Sequence, residues 1–156
     1  MADPRVVEPG AGDTLPHQLG GAITFKVSGA ESDGAFFAFE TEVAPGEGPP
    51  LHMHANEEEI LYVLDGEARF RFGDDIRDAP TGSFLFVPRG VPHCFQAVGD
   101  RPARLFITFT PAGMEAFFST LSEEIAKGSE PEQAFRASGE GAGMTVVGPP
   151  LSQSHP

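Results

Sequence analysis

The stretch Gly46–Glu59 reads GEGPPLHMHANEEE and places His52 and His54 two residues apart, just ahead of an acidic run. On a β-strand, side chains two residues apart point to the same face. A second stretch, Gly82–His93, reads GSFLFVPRGVPH and ends on a third histidine. Imidazole nitrogens combined with a carboxylate oxygen suit Fe, Ni, Mn, Co, Cu or Zn. The two stretches therefore predict a site for one divalent transition-metal ion.

The spacing within both stretches resembles the two sequence motifs of the cupin family. The first motif consists of a glycine, five residues, His-x-His, three or four residues, Glu, six residues and Gly. It is met at Gly46, His52, His54, Glu59 and Gly66. The second motif consists of a glycine, five residues, Pro-x-Gly, two residues and His. It is met at Gly82, Pro88, Gly90 and His93. Ala97 stands where this motif usually has asparagine. The flanking sequence further resembles the small, single-domain, quercetin-dioxygenase-like cupins.

The resemblance implies a ligand set and a fold. The metal ligands would be His52, His54, Glu59 and His93. Glu57 and Glu58 are alternatives to Glu59, which fits the register of the motif and begins an apolar strand. The implied fold is all-β, a double-stranded β-helix or jelly-roll barrel.

Periodicity divides the chain into an arm, a β-rich body and a helical C-terminal appendage. Residues 1–18 are predicted to form the N-terminal arm, and residues 19–112 the barrel of eight or nine short strands. Asp65-Gly66 between two apolar runs predicts a hairpin. Beyond Pro111, apolar residues recur at steps of three and four, which predicts a helix over Gly113–Lys127. Residues 113–156 form this helix, a second short helix at Pro131–Ala137, an extended piece and a tail, packed on the barrel.

The composition limits the partners. The formal net charge is −13, with 10 Lys and Arg against 23 Asp and Glu, which argues against nucleic acid and an anionic membrane surface. A small-molecule substrate is expected instead. The single cysteine, Cys94, and the absence of an apolar N-terminal run predict a cytoplasmic protein. Exposed sheet edges predict a homodimer, with the arm and first strand as candidates for exchange.

Fourteen phenylalanines and no tryptophan predict a core built largely on phenylalanine. Some of the side chains on the predicted strands are candidates for the wall of a substrate cavity. These candidates are Phe37, Phe39, Tyr62, Phe70, Phe95, Phe106 and Thr108. Packing in the barrel core explains each of them equally well, and the sequence does not decide between the two interpretations.

Resemblance to the quercetin-dioxygenase-like cupins implies a metal-dependent dioxygenase acting on a flavonol-like or other enolic or aromatic molecule. In that hypothesis Glu59 accepts the proton of an enolic hydroxyl, and dioxygen attacks the electron-rich ring. One alternative is a non-redox metalloenzyme, such as a polyketide cyclase, isomerase or lyase, whose metal acts as a Lewis acid. The other is a cupin that binds a small ligand without turnover. All three hypotheses use the same four ligands, so the ligands do not discriminate among them.

Overall fold

Eleven strands form two antiparallel sheets in the computed structural model, which describes residues 2–16 and 21–155. The strands are β1 (Thr14–Leu15), β2 (Ile23–Val27), β3 (Phe37–Val43), β4 (Pro50–His54), β5 (Glu58–Asp65), β6 (Glu67–Phe72), β7 (Asp75–Pro80), β8 (Phe84–Val87), β9 (His93–Ala97), β10 (Ala103–Thr110) and β11 (Met144–Pro150). The first sheet has the order β1-β2-β3-β10-β5-β8, and the second has the order β11-β4-β9-β6-β7. This architecture confirms the prediction of a jelly-roll β-body.

Phenylalanine builds the core between the two sheets, as its frequency predicts. Along β3 the alternation puts Phe37 and Phe39 on the inner face, where both are buried. Phe39 lies 6.2 Å from Phe109 and 5.0 Å from Phe118, measured between ring centroids. Aromatic pairs at these separations stabilise a core beyond the burial of their apolar area.

The turn at Asp65-Gly66 is not the hairpin that the sequence predicts. β5 pairs with β10 and β8, whereas β6 pairs with β7 and β9 in the other sheet. Gly66, at φ +78°, therefore carries the chain from one sheet to the other. A Cβ at this position would lie 2.7 Å from the carbonyl oxygen of Pro102. The glycine is needed for this close backbone approach as well as for its positive φ.

Strand β7 covers a segment that the sequence analysis assigned to no strand. Its sequence, DIRDAP, is half charged and mostly exposed. It pairs along its whole length with β6, and Arg69 Nε donates to Asp78 Oδ1 across the pair at 2.7 Å. Cross-strand ion pairs of this kind support a solvent-facing sheet edge without an apolar pattern.

The C-terminal part contains three helices within the described residues: α1 (Glu115–Ala126), α2 (Pro131–Glu140) and α3 (Leu151–Ser154). The first two confirm the predicted helices, and α3 lies in the predicted tail. Strand β11, between α2 and α3, pairs with β4 and so joins the second sheet. No helix of the described chain is long and apolar enough to cross a membrane. The predicted boundary between arm and barrel, at residues 18 and 19, lies outside the described residues.

Candidate metal centre

Four buried side chains from both sheets converge on one point. His52 and His54 extend from the inner face of β4, and His93 lies at the start of β9, where it pairs with His52. Glu59 reaches the same point from β5 in the opposite sheet. One ligand atom of each of the four residues lies within 4.8 Å of the others. This buried cluster suits a single metal ion, as the two motifs predict.

Backbone carbonyls orient two of the imidazoles. His52 Nδ1 donates to the carbonyl oxygen of Pro50 at 2.7 Å, and His93 Nδ1 donates to that of Val91 at 2.9 Å. A carbonyl oxygen can only accept, so Nδ1 carries the proton in both rings and Nε2 faces the cluster. Such hydrogen bonds fix the tautomer and ring orientation of metal-binding histidines. The two proline-containing turns that precede the histidines therefore have a direct role in the site.

His54 provides the sharpest indication that the cluster fits an ion. It is buried, and neither of its ring nitrogens makes a hydrogen bond. Its Nε2 lies 3.5 Å from Oε2 of Glu59. A buried polar atom without a partner costs about 1–3 kcal/mol, and a coordinated cation would remove that cost. His54 is therefore the residue whose surroundings the protein alone does not satisfy.

The electrostatics of the cluster also suit a cation. Burial lowers the pKa of His52 well below its usual range, and the nearby His93 and His54 lower it further. Burial alone would raise the pKa of Glu59, but the imidazoles of His54 and His93 outweigh it and hold this pKa below its usual value. At neutral pH His52 is therefore neutral and Glu59 ionised, the forms in which these groups bind metals.

His93 is the candidate ligand whose proton a bound metal would have to displace. Burial lowers its pKa, but the hydrogen bond from His93 Nε2 to Glu59 Oε2, at 2.7 Å, outweighs burial and raises it. With Nδ1 also donating, this ring carries two protons when no cation is bound. Metal binding would release the Nε2 proton, so the affinity for metal should fall at acidic pH.

The alternatives to Glu59 lie elsewhere. Glu58 faces outward from β5, and its Oε1 lies 3.6 Å from a guanidinium nitrogen of Arg89. Glu57 is buried, and burial raises its pKa. Its Oε1 lies beneath Gly113, where an added Cβ would approach it to 3.3 Å. Neither residue is in the four-residue cluster.

A cavity of about 50 Å³ adjoins three of the four candidate ligands. Its wall is formed by Ile23, Phe39, Thr41, Val43, Pro49, His52, His54, Glu59, Phe95, Ile107, Phe109, Met114, Phe117, Phe118, Phe135 and Met144. Apart from the candidate ligands, Thr41 is the only polar residue in this wall among the described residues, and its hydroxyl donates to the carbonyl oxygen of Ala22. No lysine or arginine of the described chain lines the cavity. The space beside the cluster is therefore largely apolar and without lysine or arginine side chains.

Of the seven side chains expected at the cavity wall, the structure places Phe39 and Phe95 there. Phe37 and Phe70 are buried in the core but do not line the cavity. The remaining three lie on the outer face of the first sheet, which corrects the expectation: Tyr62, Phe106 and Thr108. Because Glu59 faces inward and strand side chains alternate, Tyr62 three positions later must face outward.

The helices contribute cavity residues that the sequence analysis missed. Met114, at the start of α1, and Phe117 and Phe118 within it line the cavity, together with Phe135 of α2. The ring of Phe135 lies 5.8 Å from that of His52, centroid to centroid. The sequence shows the apolar face of α1, through residues that recur at steps of three and four. It does not show which part of the barrel that face covers.

Comparison with known proteins supports the cupin superfamily. Residues 39–109 match the cupin domain. The chain is 38% identical over 73 residues to Protein SchB of Streptomyces halstedii, which covers 44% of this chain and 50% of that protein. It is 33% identical over 100 residues to the tetracenomycin polyketide synthase protein TcmJ of Streptomyces glaucescens, covering 61% of this chain and 64% of that protein. The chain thus spans between half and two thirds of the length of these two relatives.

A solved structure shows the same fold. The polyketide cyclase RemF from Streptomyces resistomycificus aligns with a TM-score of 0.58 at 23% sequence identity, over 69% of this chain and 80% of that one. The match to the cupin domain includes β3 to β10. It therefore contains all four candidate ligands but neither of the helices that line the cavity.

Proposed function

We propose that this cupin is a metalloenzyme acting on a neutral, enolisable aromatic or polyketide-like molecule. One divalent ion of Ni, Fe, Mn, Co, Cu or Zn would be held by His52, His54, Glu59 and His93. The observation that carries the proposal is the convergence of these four buried side chains, three of which line an apolar cavity. A purely structural ion would not need such a cavity beside it, since catalytic sites keep room for substrate next to the metal.

The lining of the cavity indicates the class of substrate. Beyond the metal, the wall offers Thr41 as a polar contact and otherwise apolar, largely aromatic side chains. A charged group placed away from the metal would be desolvated without a counter-charge, at a cost of several kcal/mol. A neutral ring system with one oxygen directed at the metal fits this wall. The sequence similarity to TcmJ, a polyketide synthase protein, supports the same class.

The chemistry follows from the position of Glu59. A bound divalent metal would act as a Lewis acid on a carbonyl or enol oxygen. The Glu59 carboxylate, ionised at neutral pH, is placed to accept a proton from the carbon or hydroxyl next to that oxygen. The carbonyls of Pro50 and Val91 hold His52 and His93 in place. The phenylalanine wall keeps water from the enolate that results.

We infer non-redox turnover, such as cyclisation or isomerisation, as the leading reaction, because it needs only these groups. A metal-dependent dioxygenase is the second candidate, and the dimensions of the cavity favour it. A largely apolar space of about 50 Å³ has room for a molecule the size of dioxygen. In that reaction Glu59 would deprotonate an enolic hydroxyl and dioxygen would attack the ring.

A ring-sized substrate needs more space than the described cavity offers. Sites for such ligands typically measure about 300–1,000 Å³, against about 50 Å³ here. Phe118 of α1 and Phe135 of α2 line the cavity and are buried. We infer that substrate enters as α1 and α2 shift away from the barrel. Gly113 and Gly128, both at positive φ, flank α1 and can absorb the required change in backbone angles.

The test compares metals and atmospheres. Protein loaded with Zn, Ni, Mn, Co or Fe is incubated with an aromatic β-diketone and, separately, with the flavonol quercetin, in air and under nitrogen. Products are followed by mass spectrometry and oxygen uptake by an electrode. Conversion with Zn under nitrogen is the expected result, whereas conversion only with oxygen uptake would select the dioxygenase. Loss of neither compound with any metal would contradict the proposed substrate class.

Glu59→Gln tests the role of the carboxylate. The variant should retain part of its metal and lose the proton transfer, with a rate at least about 100-fold lower. Glu58→Gln is the matched control, because Glu58 is the neighbouring acid and faces outward toward Arg89. Full activity of the Glu59 variant would assign the base to another group.

A further inference from the structure

The register of the first sheet places Glu59 and Thr41 at different levels along the cavity. Phe37 pairs with Phe109, and Phe109 pairs with Glu59, so these three residues form one cross-strand row. Thr41 belongs to a row with Leu105, which lies four residues from Phe109 along β10. Four residues of an antiparallel strand span about 14 Å. Thr41 therefore lies far from the carboxylate in the direction of the strands.

The second sheet gives the cavity the same direction. A short connection joins the end of β3 to the start of β4. The part of β3 that carries Thr41 is therefore near the start of β4, whereas His54 is the last residue of β4. Val43, which ends β3, and Pro49, which precedes β4, both line the cavity. The cavity thus extends from the four-residue cluster toward a remote part of the barrel.

Thr41 provides the polar group at this remote end. Apart from the candidate ligands, the other described residues of the wall are apolar. Thr41 is 7% exposed, and its Oγ1 donates to the carbonyl oxygen of Ala22 at 3.1 Å. Since a hydroxyl has one proton to donate, this bond uses it and leaves the lone pairs of Oγ1. Toward a ligand in the cavity, Thr41 is therefore a hydrogen-bond acceptor.

An acceptor at this position selects among ligands. A hydroxyl or N–H group of the ligand can donate to Oγ1 of Thr41 without disturbing the bond to Ala22. A carbonyl or ether oxygen at the same place would face the lone pairs of Oγ1 and lose the hydrogen bonds that it makes to water. Leaving such a polar atom buried and unpaired reduces affinity by about 5- to 150-fold.

The backbone holds Thr41 in a fixed position. It lies within β3, where it pairs with Ile23 of β2 on one side and with Leu105 of β10 on the other. A shift of α1 and α2 that admits the substrate leaves these strand pairs intact. The acceptor is therefore already in place before a ligand binds, which favours selection by hydrogen bonding.

We propose that Thr41 determines specificity by accepting a hydrogen bond from the end of the substrate that lies away from the metal. The substrate is accordingly an elongated, neutral molecule. One end carries the oxygen directed at the metal, and the other carries a hydrogen-bond donor such as a phenolic hydroxyl. This inference rests on the proposed function, because it assigns a second contact to the substrate of the same cavity.

The test compares three β-diketones that differ at one end only: dibenzoylmethane, its para-hydroxy derivative and the methyl ether of that derivative. Their affinities for the Zn-loaded protein are measured by calorimetry under nitrogen. The wild-type protein should bind the para-hydroxy derivative about 2- to 12-fold more tightly than dibenzoylmethane, as one additional neutral hydrogen bond predicts. The methyl ether should bind no more tightly than dibenzoylmethane, because it has no proton to donate.

Thr41→Val should abolish the preference for the para-hydroxy derivative and leave the affinity for dibenzoylmethane unchanged. Valine has nearly the same shape as threonine but no hydroxyl. Thr41→Ser, which keeps the hydroxyl, should keep the preference. Thr108→Val is the matched control, since Thr108 faces outward from β10, and it should also keep the preference.

Circular dichroism establishes that each variant is folded, and the three wild-type affinities decide the question if Thr41→Val does not fold. Equal binding of the three compounds by the wild type would overturn the role of Thr41 and leave the proposed function standing. So would tighter binding of the methyl ether, or a folded Thr41→Val variant that keeps the preference. Binding of none of the three by the wild type would contradict the proposed substrate class, and the role of Thr41 would be wrong with it.

Discussion

His54→Ala should separate the stability of the protein from the stability that a metal adds. In the metal-free protein, His54 is a buried imidazole whose two nitrogens have no hydrogen-bond partner. Removing it relieves a penalty of about 1–3 kcal/mol. The lost packing and the small void cost about 2–5 kcal/mol, as for other large-to-alanine changes. Because these terms oppose each other, we expect the metal-free variant to lose no more than about 4 kcal/mol of unfolding free energy.

The contribution of the metal should be lost almost entirely. An ion that binds only the folded chain, present at 1,000 times its dissociation constant, stabilises it by about 4 kcal/mol. In a domain of this size, that corresponds to a rise of about 8–16 °C in the midpoint of thermal unfolding. The variant lacks one of the four ligands of the cluster. Its midpoint should rise by less than about 2 °C at the same metal concentration.

The assay is thermal unfolding of chelator-treated protein, with and without added Zn²⁺ or Ni²⁺, combined with elemental analysis. Met53→Ala is the control, since Met53 is adjacent in β4, half-buried and on the opposite face from the cluster. It should keep the full metal-induced rise. If His54→Ala also kept it, His54 would not be a ligand. If the metal-free variant no longer unfolded cooperatively, the balance of terms assigned to His54 would be wrong.

Three further predictions concern packing. Phe135→Ala should lower the free energy of unfolding, measured with urea, by about 3–5 kcal/mol, because this ring is buried at the cavity wall against Phe117. A loss below about 1 kcal/mol would mean that α2 does not close the cavity. Gly48→Ala should lower the unfolding midpoint strongly, because its Cβ would overlap the carbonyl oxygen of Phe95. The control Gly141→Ala, at an open helical position, should be neutral or slightly stabilising. Burial raises the pKa of the Cys94 thiol to about 11 and shields the sulfur from solvent. Iodoacetamide at pH 8 should therefore label Cys94 only in the unfolded protein, and rapid labelling of the native chain would contradict its buried position.

The four-residue cluster of candidate metal ligands was the most predictable part of the molecule. His52 and His54 share a face by strand alternation alone, and the motif spacing added Glu59 and His93. What the sequence did not show is that the carboxylate and the imidazoles come from opposite sheets. That arrangement depends on the connection at residues 55–57, which carries the chain from β4 in the second sheet to β5 in the first. The turn at Gly66 then returns the chain to the second sheet, although Asp65-Gly66 is typical of a hairpin. The backbone crowding that requires glycine at this turn comes from Pro102, a residue distant in sequence.

Strand parity explains the errors in the predicted cavity. An inward Glu59 already requires an inward Leu61 and an outward Tyr62, so that assignment was available from alternation. β10 gave a weaker signal of the same kind, since Arg104 marks the face that also carries Phe106 and Thr108. Beyond Arg104 both faces carry apolar or neutral residues, Leu105 and Ile107 on one side and Phe106 and Thr108 on the other, so one charged residue at the start of the strand is the only guide to its outward face.

The C-terminal segment has a consequence for how this chain can be divided. Val146 pairs with His52, and Met144 pairs with His54, so the last strand provides the lateral hydrogen bonds of the strand that presents two imidazoles. A fragment trimmed to the matched residues 39–109 would keep every candidate ligand. The fragment would nonetheless lack β11, so β4 would become an edge strand of the second sheet. A fragment of residues 39–109 should therefore contain all four candidate ligand side chains but lack the strand that holds β4 in position.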